Sequence, residues 1–114
     1  SFELDNENKV IRLKDSEENC LLEMKTENGN ITLKGKEKIT IKAGEKITIV
    51  LNGSSGKITV DTTDLSVSAT GQLKLNATGK VELTGATIRE EASGNLNLTA
   101  NGMTSVAGNL IKLG

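Results

Sequence analysis

The hydrophobic pattern is clearest at residues 65–80, LSVSATGQ followed by LKLNATGK, where the order apolar, polar, apolar, polar, alanine, polar, glycine, polar occurs twice. The first apolar residue of each such phrase can be followed through Ile31, Ile39, Ile47, Ile58, Leu65, Leu73, Val81, Ile88, Leu96, Met103 and Ile111, eleven units spaced by seven or eight residues nearly everywhere. Two places later stand Leu33, Ile41, Ile49, Val60, Val67, Leu75, Leu83, Glu90, Leu98, Ser105 and Leu113, of which nine are apolar. Period-two alternation inside each unit predicts a short β-strand with one buried face. Self-similarity at a fixed interval predicts a repeat architecture.

The fifth place of the unit is mostly small, as at Gly35, Ala43, Ala69, Ala77, Gly85, Ala92, Ala100 and Ala107, and the seventh is Gly71, Gly79, Gly94 and Gly102 where the phrase is cleanest. Glycine at positive φ lets a chain turn a corner without a Cβ clash, so the expected path is strand, corner, strand, corner. The alternating polar residues, such as Thr40 and Thr48, are expected to face water. One longer interval, eleven residues from Ile47 to Ile58, holds Leu51-Asn52-Gly53-Ser54-Ser55-Gly56-Lys57 and reads as a surface turn inserted at a corner.

Residues 1–29 are less regular, with alternation at Val10 to Leu13 and Cys20 to Met24. They carry eight acidic and four basic side chains, and read as a separate acidic segment at the junction to an upstream domain. Residues 30–114 read as one repeat needle. The start at Ser1 suggests a piece of a longer protein.

Composition sharpens this picture. There is one aromatic residue, Phe2, and no Trp, Tyr, Pro or His, against 12 Gly in 114 residues, so the usual large fillers of a globular core are missing. Recurrent Val, Ile and Leu in alternation, without Pro, argue equally against disorder. The net charge of −1 gives no general reason to expect nucleic acid or an anionic membrane as a partner. A lone Cys20 makes no intrachain disulfide and is expected to be a small buried apolar residue. No run of 18 apolar residues occurs.

An eight-residue unit is too short to wrap a filled core, and ordering its backbone costs more than burying two aliphatic side chains returns. Each unit must lie against others, with its main-chain groups paired to theirs. Two arrangements do this. Three successive units of one chain can form a triangular rung of about 24 residues, a single-chain β-solenoid. Alternatively, three chains can each supply one side and wind about a common axis. The second closes by symmetry and suits a chain with few bulky side chains, and it is the fold class expected here: all-β, a trimeric intertwined β-helix, or triangular β-prism, of roughly eight-residue repeats. Its expected trimer core is Ile31, Leu33, Ile39, Ile41, Ile47, Ile49, Ile58, Val60, Leu65, Val67, Leu73, Leu75, Val81, Leu83, Ile88, Leu96, Leu98 and Met103.

Several phrases carry a family likeness: Gly29-Asn30-Ile31-Thr32-Leu33, the run from Lys38 to Ile49, Ala92-Ser93-Gly94-Asn95-Leu96-Asn97-Leu98-Thr99-Ala100, and the closing Gly108-Asn109-Leu110-Ile111-Lys112-Leu113-Gly114. Together they resemble the C-terminal β-helical needle of VgrG and phage baseplate spike proteins, over about residues 10 to 114. The resemblance implies a homotrimer at the front of a contractile injection machine: a type VI secretion system, a phage tail or a related particle. It further implies upstream domains that join the tail tube or baseplate, a PAAR-repeat tip protein, and transient contact with a target membrane. Such a spike is assembled in the bacterial cytoplasm or on a phage particle and then driven across the target envelope. Some phage members hold iron at the tip through His residues; this chain has no His, so that site does not carry over.

Catalytic chemistry finds little footing. Without His there is no Ser-His-Asp or Cys-His arrangement. Adjacent acids such as Glu17-Glu18 and Glu90-Glu91 alternate across a strand and read as solvated charge. Calcium-binding repeat loops are absent, and no metal, cofactor or nucleic-acid site is expected. Four Asn-x-Ser/Thr triplets, at Asn30, Asn52, Asn76 and Asn97, are expected by chance in a chain so rich in Asn and Thr. Five lysines between Lys34 and Lys46 read as charged outer positions that keep strand edges soluble.

Two places break the pattern. Glu90 falls where nine of eleven units are apolar, and Ala86-Thr87-Ile88 is read as a bulge that turns it outward. At the far end Ile111 and Leu113 keep the apolar register while Leu110 adds an apolar side chain on the other face. Leu110, Ile111 and Leu113 of three chains are expected to form the platform for a tip protein. The function expected is a non-enzymatic puncturing spike. The alternatives are a passive trimeric fibre or adhesin stalk, or a single-chain solenoid that binds ice or carbohydrate through its threonines, a row interrupted at Lys74, Glu82 and Arg89.

Overall fold

Alternation of period two becomes seven strands: β1 Phe2–Asp5, β2 Val10–Lys14, β3 Cys20–Lys25, β4 Asn30–Gly35, β5 Lys38–Ala43, β6 Ile47–Asn52 and β7 Lys57–Asp61. The computed structural model describes all of residues 1–114. It is all-β. Strands β1 to β4 form one antiparallel sheet in sequence order and β5 to β7 a second. The chain divides into two compact units, Ser1–Gly71 and Gln72–Gly114, of which the first holds both sheets.

Each sheet separates its side chains by face. In the first, Leu4 pairs with Ile11, Ile11 with Met24 and Met24 with Ile31, while Phe2, Leu13, Leu22 and Leu33 form the adjacent row. Alternate residues point to opposite sides of a strand, so these eight apolar side chains share one face. The other face carries the row Glu3, Arg12, Glu23 and Thr32. There the Arg12 guanidinium donates to Glu23 Oε2 from Nε at 2.9 Å and from Nη2 at 2.7 Å, and its Nη1 reaches Glu3 Oε2 at 3.3 Å. In the second sheet the apolar rows are Ile39, Leu51 and Ile58, then Ile41, Ile49 and Val60, with Ala43 opposite Ile47. Thr40, Val50 and Thr59 lie behind them.

Units expected to turn corners therefore reverse instead: residues 30–61 pair within the chain, in antiparallel ladders. The turns are the reason. Four residues join β1 to β2, β3 to β4 and β6 to β7, and the fourth of each is in the left-handed region: Lys9 at φ 56°, Gly29 at 73° and Gly56 at 72°. That conformation closes a hairpin and favours glycine, with Lys9 the side-chain-bearing exception. Asn52 Oδ1 accepts from the main-chain N–H of Ser54 and Ser55, so the Gly53–Gly56 insertion is the β6–β7 turn. The hairpin at Gly29 joins β3 to β4 across the boundary expected between residues 29 and 30. Cys20 is exposed, against the expected burial: it pairs with Gly35 at a sheet end and has no apolar layer over it.

Two glycines allow the passage from one sheet to the next. Lys36 N–H donates to Asn19 C=O and Gly53 N–H to Glu37 C=O, both at 2.7 Å, so neighbouring residues switch the chain from one ladder to the other. A Cβ on Gly35 would stand 2.9 Å from Lys38 O, and one on Gly53 would stand 3.2 Å from Glu37 O.

Beyond Asp61 the chain makes no strand pair and no main-chain hydrogen bond within itself. It runs between bends at Thr63, Thr70–Gly71, Thr78–Gly79, Ala86, Ser93–Gly94, Asn101–Gly102 and Asn109. From the first residue of each bend the intervals are 7, 8, 8, 7, 8 and 8, so Thr63, Ala86 and Asn109 are equivalent and each repeat has three corners. The corner glycines Gly71, Gly79, Gly94 and Gly102 are not at positive φ, which corrects the expectation drawn from glycine's freedom.

Two turn carboxylates predict a pH response. Asp5 is held below the ordinary carboxylate value by the main-chain N–H of Asn8, 3.0 Å from Oδ1, and by the Asn8 side chain. Asp15 is lowered first by the N–H of Cys20, also 3.0 Å from Oδ1. A pKa depressed on folding contributes stability above the unfolded value of 3.8, and that contribution disappears as pH falls through the folded value. The amide protons of Asn8 and Cys20 should therefore each shift in an NMR titration carried below pH 3.8, as Asp5 and Asp15 respectively take up a proton. Asp5→Asn should abolish the Asn8 response and leave that of Cys20.

Candidate functional site

No residue of the chain is fully buried in an apolar core. The apolar rows of both sheets lie open, with Leu33 57% and Ile58 70% exposed. An open hollow lined in part by Leu13, Leu22, Leu33, Gly35, Ile39 and Thr40 runs along this face where the first sheet gives way to the second. The exposed apolar faces of the sheets are thus one candidate site, and the unpaired segment with its recurring aliphatic side chains is another.

The sheets bring together several expected core residues. Ile31 and Leu33 share a face with Phe2, Leu4, Ile11, Leu13, Leu22 and Met24, which lie in the stretch read as an acidic junction. Their paired spacing, Phe2 with Leu4, Ile11 with Leu13 and Leu22 with Met24, is the signal of that face; the surrounding acids mask it. Ile39, Ile41, Ile47, Ile49, Ile58 and Val60 likewise share one face with Leu51, which the sequence pattern assigns to a turn.

In residues 62–114 the corners fix the frame. After a one-residue bend the key positions fall two and four residues on: Leu65 and Val67, Ile88 and Glu90, Ile111 and Leu113. Counting from the first residue of a two-residue bend they fall three and five on: Leu73 and Leu75, Val81 and Leu83, Leu96 and Leu98, Thr104 and Val106. Met103 stands one place short of this register, opposite in parity. It is the nearer apolar residue, but the Asn101–Gly102 corner makes Thr104 the equivalent of Val81.

Glu90 holds the same place after Ala86 that Val67 holds after Thr63 and Leu113 after Asn109. Residues 86–90 belong to no ladder, so the bulge expected there has no paired strand to interrupt. Arg89 and Glu91, two residues apart, make an ion pair of 2.8 Å, which sets both on one side of the segment, away from Glu90. Lys80 and Glu82 pair in the same way at 2.9 Å, opposite Val81 and Leu83. These exposed pairs mark the polar side of the segment; energetically such pairs count for little.

Leu110 is the exception on that polar side. It directly follows the Asn109 bend, as Thr87 follows Ala86 and Asp64 follows Thr63, where the chain otherwise carries polar groups, and it is 87% exposed. Leu113, in the apolar register, is 91% exposed, and Ile111 lies between them. No group of three or more His, Cys, Asp or Glu side chains is placed to hold a metal ion. No helix is long and apolar enough to cross a membrane. Comparison of the chain with known protein families, with characterised proteins and with solved structures gives no match.

Proposed function

We propose that this chain is one of three identical chains in a non-enzymatic, membrane-puncturing spike of a contractile injection system. One observation carries the reading: a segment without internal main-chain hydrogen bonds turns corners in a recurring 7, 8, 8 series and keeps apolar side chains at fixed places after each. Extended backbone with alternating aliphatic side chains needs ladder partners. In a single-chain solenoid Ile88 would lie on Leu65 and Ile111 on Ile88, one strand spacing of about 4.8 Å apart, in a ladder. The chain forms none. In a three-chain winding each chain advances about 14 Å per turn, which leaves two ladder positions for the other copies.

The two halves then build the same prism differently. In residues 1–61 each chain folds an entire wall, with the apolar face of its meanders turned to the axis. In residues 62–114 each chain contributes to all three walls in turn, with Leu65, Val67, Leu73, Leu75, Val81, Leu83, Ile88, Leu96 and Leu98 inward. Three copies of Glu90 then meet near the axis, where they need water or cations to offset their repulsion. Interlocked chains unfold slowly, so the mechanical property of the assembly, resistance to yielding under axial load, is its mechanism. The resemblance to VgrG and phage spike needles supports the setting: a tail tube or baseplate behind, a target membrane ahead. Leu110, Ile111 and Leu113 form the platform for a PAAR-type tip protein.

The solution mass by light scattering after size-exclusion chromatography tests the reading directly. It is expected near three chains and to resist SDS without boiling; a folded single chain would overturn it. Leu33→Glu and Thr32→Glu give the second check, since they stand on opposite faces of β4. On a free surface each changes stability by roughly 0.5 kcal/mol or less, whereas in the prism Leu33→Glu alone should abolish the three-chain species. Deleting residues 110–114 should remove binding of a purified PAAR-repeat protein while leaving the mass at three chains. Undiminished binding would move the platform elsewhere and favour a stalk.

A further inference from the structure

Glycine in an extended segment costs more backbone entropy on ordering than alanine does, so its recurrence at one place calls for a reason. Within a single chain there are two: a left-handed φ, or a neighbour that occupies the space of a Cβ. Gly29, Gly44 and Gly56 have the first, and Gly35 and Gly53 the second. Gly85 and Gly108, next to the one-residue bends, lie against a carbonyl two residues ahead, 3.4 and 3.5 Å from the Cβ position.

Gly71, Gly79, Gly94 and Gly102 have neither. They are the second residue of all four two-residue bends, none is at positive φ, and a Cβ built on any of them meets nothing of its own chain within 4 Å. Four glycines thus occupy equivalent corners where this chain alone would accept alanine. The alanines at Ala69, Ala77, Ala92 and Ala100, each two residues before one of these glycines, show that small size alone does not distinguish the site.

We propose that these four glycines are seats of close main-chain approach between copies, the backbone of a second copy of this chain passing where each Cβ would stand. The proposal rests on the three-chain reading and deepens it. The occupant is a copy because it must match the corners. A strand that pairs along residues 62–114 has to bend at intervals of 7, 8 and 8 to stay in register, and this chain carries that spacing itself. It must also present unpaired N–H and C=O groups over the same length, as residues 62–114 do. Glycine in a strand is the residue that admits another backbone at a tight bend.

The test compares Gly79→Ala and Gly94→Ala, singly and together, with Thr78→Ala and Ser93→Ala, which alter the same two corners but keep the glycine. All are made in the 114-residue chain and read by light-scattering mass and by the three-chain fraction that survives SDS without boiling. The glycine variants are expected to lose that fraction by about tenfold or more, the scale of an overpacked contact, while the Thr78 and Ser93 variants retain it. Glycine variants as resistant as the parent, or more so as alanine's smaller entropy cost would give on a free corner, overturn the proposal and leave the three-chain reading standing. A parent chain that runs as a single copy overturns the reading itself and the proposal with it.

Discussion

Main-chain hydrogen bonding is the constraint on which the rest depends. Every residue from Thr62 to Gly114 carries an N–H and a C=O, since the chain has no proline, and none of these groups finds a main-chain partner in its own chain. Water can satisfy them one at a time, but water does not explain aliphatic residues at fixed places after every corner. Burial of those side chains takes the backbone with it, and a buried peptide group must be paired. The segment's hydrophobic pattern and its unpaired backbone therefore pose one requirement, which the proposed three-chain winding would meet in a single step.

Residues 1–61 meet the same requirement locally. Their turns place a residue at positive φ and send the chain back along itself, so the peptide groups are satisfied before any partner arrives. What remains unsatisfied there is the apolar face and the outer main-chain groups of the edge strands β1, β4, β5 and β7. One chain thus combines a part that can form its ladders alone with a part that cannot. In the proposed trimer that order would let preformed ladders bring the chains into register before the remainder pairs, because nonlocal pairing is slow until the loop-closure cost has been met.

Strand positions are legible in the sequence because alternation is a local signal: β2 and β3 lie where Val10 to Leu13 and Cys20 to Met24 alternate. The β6–β7 turn is legible from Asn52-Gly53-Ser54-Ser55-Gly56. The difference between a reversal and a corner is not. Asn28-Gly29 closes a hairpin with Gly29 at φ 73°, whereas the same dipeptide at Asn101–Gly102 makes a bend without positive φ. What separates them is the presence of a complementary strand beside the turn, which is a property of the neighbourhood. For the same reason the sequence points to Met103 rather than Thr104: hydrophobicity favours the nearer apolar residue, while the frame is set by corners that only the backbone path reveals. Glu90 is legible as an exception to the apolar pattern, two residues after Ile88.

The 7, 8, 8 spacing of the corners also governs how such a chain can change in length. Insertion of a single residue between two corners moves the apolar places that follow it in that side to the opposite face. Insertion of one long side alone puts a short side where a long one is due, and in the proposed prism the three walls would no longer meet at common edges. Only a whole block of three sides, such as Thr63 to Gly85, returns every later corner and side chain to an equivalent place. The proposed needle would therefore grow or shrink by whole turns, and its length would be a quantised variable: duplication of one such block would lengthen it by a fixed step without redesigning any contact on either side of it.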